Sequence, residues 1–127
     1  MERKRLFVCY ASQEKADFDQ FIKESVKEKI AYELVYTEDK EPQSDDWRAL
    51  TFEQIDSCNG VVVLISPKTK ISEDAFWEMK CSKDLKKPII AVFVGEAGIR
   101  DKPMDLTGVF TMVMAWDRLT DFVNKLE

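Results

Sequence analysis

The chain has 127 residues, 45% apolar and 34% charged, with a formal net charge of −5, the mixture of a globular domain with a core of its own. No run of about 18 apolar residues is available to cross a membrane, and the dispersed lysines and arginines give no sign of a nucleic-acid surface. Histidine is absent, which removes Ser-His and Cys-His catalysis and histidine-ligated metal sites; acid–base chemistry is left to carboxylates, lysines and tyrosines.

The opening "MERKRLFVCY" is basic and then at once strand-like. It lacks the apolar stretch and cleavage site of a secretory signal. Residues 5–10, "RLFVCY", read as a buried strand. Over 14–30, Phe18, Phe21, Ile22, Val26 and Ile30 recur at helical spacing. "ELVY", 33–36, is a second strand, followed by the polar loop "TEDKEPQSDD". A loop this long over a rigid scaffold often binds a ligand. "WRALTFEQIDSC", 47–58, is a second helix with Asp45 or Asp46 as cap and an inward stripe of Trp47, Leu50, Thr51, Ile55 and Cys58. "GVVVLIS", 60–66, is β-branched and continuous, the central strand. Ser72 caps a third helix over 73–86. "PIIAVFV", 88–94, is a fourth strand, and a loop runs over 95–108. "VFTMVM", 109–114, is a fifth strand, and 116–126 a closing helix.

Strands alternating with helices predict a parallel sheet covered on both faces, with right-handed crossovers. Ligands of such a sheet bind outside the carboxyl ends of the strands. The loops after Tyr10, Tyr36, Ser66 and Val94 form that edge. Cys9, Cys58 and Cys81 are odd in number, widely spaced and free of any CxxC pattern; reduced thiols in a cytoplasm are the plain expectation.

One residue conflicts with its surroundings. On a helical wheel at about 100° per residue, Ala75, Trp77, Met79, Cys81 and Leu85 form an apolar arc, with Phe76 an exception among the charges outside it. Glu78 falls near the middle of that arc. A carboxylate there must be partnered, protonated or facing a cavity, because an isolated buried charge costs several kcal/mol. The third helix starts at the ligand edge, so the expected answer is a pocket.

"YASQEK" has no glycine, unlike the phosphate loop of a flavodoxin. Ala11-Ser12, Ser66 and Ala115 stand where a phosphoacceptor receiver needs acids and a lysine. No GxGxxG or Walker A pattern occurs. The chain instead resembles the TIR domain, in particular its small bacterial and archaeal TIR-like branch of the Thoeris type. The resemblance rests on "FVCY" followed by a polar turn, on "DDWRALTFEQIDSCNGVVVLIS", and on "FWEMKCSKDLKKPIIAVFV".

That resemblance implies a flavodoxin-like three-layer α/β sandwich, one domain over 1–127, with a five-stranded parallel sheet in the order 2-1-3-4-5. It implies cleavage of the nicotinamide–ribose bond of NAD⁺, with NAD⁺ as substrate, no separate cofactor and no metal, and a product that signals in antiphage defence. Glu78 takes the place of the catalytic glutamate. Tyr10, Ser12, Trp47, Ser66, Asp74 and Trp77 are the accompanying candidates for substrate binding. Each has a plainer reading: Tyr10, Trp47 and Trp77 as packing, Asp74 as a first-turn acid favoured by the helix dipole. The resemblance breaks at Asp74, where catalytic TIR domains often carry tryptophan four residues before the glutamate.

Two other readings stand beside the NAD⁺ enzyme. One is a non-catalytic signalling module that self-associates through the 37–46 loop or engages a downstream effector protein. The other is an enzyme like the nucleoside deoxyribosyltransferases, which use a carboxylate at an N-glycosidic centre. Neither nucleic acid nor membrane is an expected partner.

Overall fold

The computed structural model describes residues 3–127. Its strands are β1 (Arg5–Cys9), β2 (Glu33–Val35), β3 (Gly60–Ile65), β4 (Ile89–Phe93) and β5 (Thr111–Val113). They form one parallel sheet in the order β2-β1-β3-β4-β5, a flavodoxin-like α/β arrangement. The helices are α1 (Lys15–Lys27), α2 (Asp45–Asp56), α3 (Glu73–Asp84) and α4 (Trp116–Asn124). None of the described helices is long and apolar enough to cross a membrane.

The centre of the sheet follows from the run that is apolar without alternation. β3 is buried at all six positions and pairs on both sides, Leu6 with Gly60 and Val61 with Ile89. Neighbouring residues of a strand face opposite layers. Leu6, Val8, Val62 and Leu64 therefore pack with Phe18 and Phe21 of α1 and Leu119 and Val123 of α4. Phe7, Cys9, Val61, Val63 and Ile65 pack with Ile55 of α2 and Ala75 and Met79 of α3. Each large apolar side chain so buried contributes about 1.5–3 kcal/mol.

The expected cap of α2 is corrected. Ser44 holds that place, its hydroxyl accepting from Trp47 N at 3.3 Å. Its short side chain reaches back over the first turn, and Asp45 and Asp46 become first-turn acids. Leu50 is also corrected, being half-exposed, because α2 rests on the sheet through Trp47, Thr51 and Ile55 at four-residue spacing. The expected cap of α3 is present: Ser72 Oγ accepts from Ala75 N at 3.3 Å. The 95–108 loop contains two 3-10 turns, Ile99–Asp101 and Met104–Leu106, and the fifth strand is shorter than its apolar run.

Candidate functional site

Three segments meet at the carboxyl edge of the sheet: the chain leaving β1 at Tyr10–Ser12, the loop between β2 and α2, and the first turns of α3. Asp74 and Glu78 lie four residues apart on α3 and are both buried. Helical spacing puts them on one inward face, continued by Ser82, whose hydroxyl donates to Glu78 O at 2.8 Å.

Glu78 is fully buried and bound on both carboxylate oxygens. Lys40 Nζ lies 2.7 Å from Oε1, and Thr37 Oγ1 donates to Oε2 at 3.2 Å. The Lys40 side chain is also completely out of water. Its ammonium stands 3.6 Å from the centroid of the Tyr10 ring and donates to the Tyr10 carbonyl. The other face of that ring stacks on Phe18, centroids 3.9 Å apart. Tyr10 Oη donates to Thr37 O at 2.9 Å, and Trp47 Nε1 donates to Thr37 Oγ1 at 3.3 Å. Thr37 thus links three of the elements around the carboxylate.

Asp74 has its own partners. Ser12 N donates to Oδ1 at 3.3 Å, Ser12 Oγ donates to Oδ2, and Ser72 Oγ donates to Oδ1 at 2.8 Å. The two acids influence one another: burial pushes the Glu78 carboxyl up to about 7, the Lys40 ammonium pulls it back, and the Asp74 charge adds to the rise. Burial, with the Glu78 charge behind it, raises the Cys9 thiol and the Tyr10 phenol.

Of the residues singled out in the sequence, Tyr10, Ser12, Trp47, Asp74 and Glu78 come together here. Ser66 does not join them; its hydroxyl and amide bond to Thr69 Oγ1 at 2.9 and 2.8 Å in the turn after β3. Trp77 turns toward α2, packing on Trp47 with centroids 5.2 Å apart. Thr37 and Lys40 join the cluster without a signal in the sequence. Nothing in "TEDKEPQ" separates a buried lysine from a solvated one, since a loop has no periodicity to read.

The expectation that Glu78 opens on a crevice is corrected. The room beside it is filled by the Lys40 side chain. A broad cleft of about 790 Å³ lies instead at the opposite, amino-terminal end of the strands, lined by Cys58, Leu85, Pro88 and Leu126.

The family model described as "Thoeris protein ThsB, TIR-like domain" matches residues 5–98. This chain belongs to that family. The matched stretch contains the TIR-like domain's first four strands, the 36–44 loop and the whole Glu78 cluster. A search of curated proteins finds no significant match. Among the described residues of the TIR-like domain, no group of histidine, cysteine and acidic side chains is placed to hold a metal ion.

Proposed function

We propose that the domain cleaves the nicotinamide–ribose bond of NAD⁺, with Glu78 as the catalytic carboxylate, in a cytoplasmic antiphage response. The observation that supports this is the carboxylate itself, held at the ligand edge of the sheet with a single cation against it. A lysine–glutamate pair wholly out of water is a poor way to stabilise a fold, because desolvating two charges offsets most of their attraction. A carboxylate retained in such a place suits a site that must meet positive charge.

The chemistry needs that one anion. The ring nitrogen of nicotinamide leaves with the electron pair of the glycosidic bond, and the ribose carbon becomes oxocarbenium-like. A carboxylate alongside stabilises the developing positive charge, most effectively where water is excluded. Water then adds and loses a proton to give ADP-ribose, or a nucleophile of the adenosine half closes a ring. Tyr10 stands beside the carboxylate, Ser12 beside Asp74 and Trp47 behind Thr37, and the Asp74 charge raises the negative potential. Lys40 must leave before a ribose can reach Glu78, so with Lys40 against Glu78 the domain is closed.

Nicotinamide release from NAD⁺, followed for wild type, Lys40→Met and Glu78→Gln, tests the reading. Release should be lost in Glu78→Gln. Equal release by wild type and Glu78→Gln, or none from both wild type and Lys40→Met, overturns the assignment.

A second reading is a non-catalytic module that associates with further copies or with an effector through the 37–46 loop. The exposure of Glu38, Asp39, Glu41 and Gln43 around a closed carboxylate favours it. Light scattering of wild type and loop-charge variants decides: a monomer at every concentration, unchanged by those variants, removes this reading.

A further inference from the structure

The Lys40 ammonium is held by an aromatic face, a carboxylate and a carbonyl oxygen at once: Tyr10 at 3.6 Å, Glu78 at 2.7 Å, and the Tyr10 main chain. These are the components of a cation cage, in which a π face and anionic oxygens replace the water around a positive group. The cage is built independently of Lys40. Phe18 stacks behind the Tyr10 ring, Thr37 ties down the Tyr10 hydroxyl and one Glu78 oxygen, and Trp47 holds Thr37. Lys40 is delivered differently, at the end of a flexible stem from a loop. Asp39 before it has a left-handed backbone, φ +50°, and Glu38, Asp39 and Glu41 on either side are exposed.

We propose that Lys40 is an intramolecular stand-in for a cationic ligand, and that the Tyr10–Glu78 cage takes an organic cation of the pyridinium class in its place. This rests on the reading of Glu78 as a substrate-facing carboxylate and adds the recognition element of that site. Lys40 and the ligand compete for one position. The apparent affinity of a ligand falls by the fraction of molecules in which the position is free. Lys40 therefore acts as an internal competitive inhibitor, and whatever draws the segment around Lys40 outward, with Thr37 left in place, switches the site on.

Binding of nicotinamide methylated on its ring nitrogen, a fixed cation, tests this against neutral nicotinamide. The readout is the Trp47 indole N–H resonance, which reports through Thr37. Lys40→Met and Lys40→Gln should bind the cation at least about tenfold tighter than wild type. Neutral nicotinamide should gain far less, and adding Glu78→Gln to either variant should abolish the gain. In wild type, saturating cation should speed amide hydrogen exchange across 39–43 as the Lys40 segment is displaced. Equal cation binding by wild type and both Lys40 variants, equal gains for charged and neutral probes, or no binding by folded Lys40→Gln overturns the proposal. If the Lys40 variants bind the cation yet release no nicotinamide from NAD⁺, the cage stands and the enzymatic reading fails. If they cleave NAD⁺ without favouring the cation over its neutral analogue, the enzyme stands and the cage fails.

Discussion

The Lys40 ammonium and the Glu78 carboxylate meet at 2.7 Å with neither side chain exposed to water. They belong to separate elements, a loop and a helix, and are 38 residues apart in sequence. Their contact is the point at which the loop folds over the carboxyl edge of the sheet. Its energetics are open to direct measurement, because both partners can be replaced without touching the sheet.

Removing only the lysine leaves a buried carboxylate alone. Lys40→Met should cost about 3–5 kcal/mol at pH 8. The cost should be smaller at pH 6, where Glu78 takes a proton and no charge is stranded. Replacing both residues, Lys40→Met with Glu78→Met, should bring stability back to wild type or above it, since an apolar pair carries no desolvation penalty. Urea unfolding of the four proteins checks this, and a double variant less stable than either single variant would contradict it.

The pH dependence of the fold should carry the Glu78 signature. Its carboxyl sits at about 7 in the fold against an ordinary 4.5, raised by burial with Lys40 opposing. Between those values the folded chain holds a proton that the unfolded chain has released. The stabilisation linked to that proton is fully present below about pH 4.5 and lost as pH rises through about 7. The gap corresponds to at most about 3 kcal/mol. The stability advantage of wild type over Glu78→Gln should therefore shrink from pH 5 to pH 8, measured as the urea midpoint. An advantage that grows over that range would reverse the sign.

Asp74 should prove an anchor for the turn after β1. It accepts from the Ser12 amide and hydroxyl and from Ser72 Oγ, so Asp74→Ala leaves the buried Ser72 hydroxyl without its acceptor and frees the exposed Ser12 turn to bond water. A loss of about 1.5–3 kcal/mol is expected, with Asp74→Asn milder because its amide oxygen still accepts. Amide exchange at Ser12 should rise in Asp74→Ala. No change in either quantity would leave the acid without a structural role.

Cys9, Cys58 and Cys81 are free and buried. Burial pushes the thiols of Cys58 and Cys81 up to about 11 and raises that of Cys9. A thiol reagent at pH 8 should leave all three unmodified in the native protein and modify all three in denaturant. Cys9 also donates to Ala75 O at 3.6 Å, beneath the Glu78 cluster. It should become the first to react once Lys40→Met loosens the loop above it.

Much of the architecture is legible in short stretches. "GVVVLIS" is apolar at consecutive positions because both faces of β3 are covered, and Ser72 announces α3 by capping it. The failures have equally local causes. Asp45 and Asp46 compete with Ser44 for one cap, and only backbone geometry chooses. Leu50 has the right spacing for the core, yet α2 sits on the sheet along a neighbouring line. Phe110 and Val113 are apolar but exposed, lying at and beside β5, which pairs with β4 on one side only.

The Glu78 cluster divides along the same line. Periodicity alone puts a carboxylate in the buried arc of α3, and alternation of strands and helices puts the start of that helix at the carboxyl edge of the sheet. Both follow from repeats that local backbone geometry imposes on every helix and strand. What compensates the carboxylate depends on which distant segment folds over it. A loop lysine has no repeat to reveal its direction, so only the assembled fold decides that Lys40 turns inward and meets Glu78.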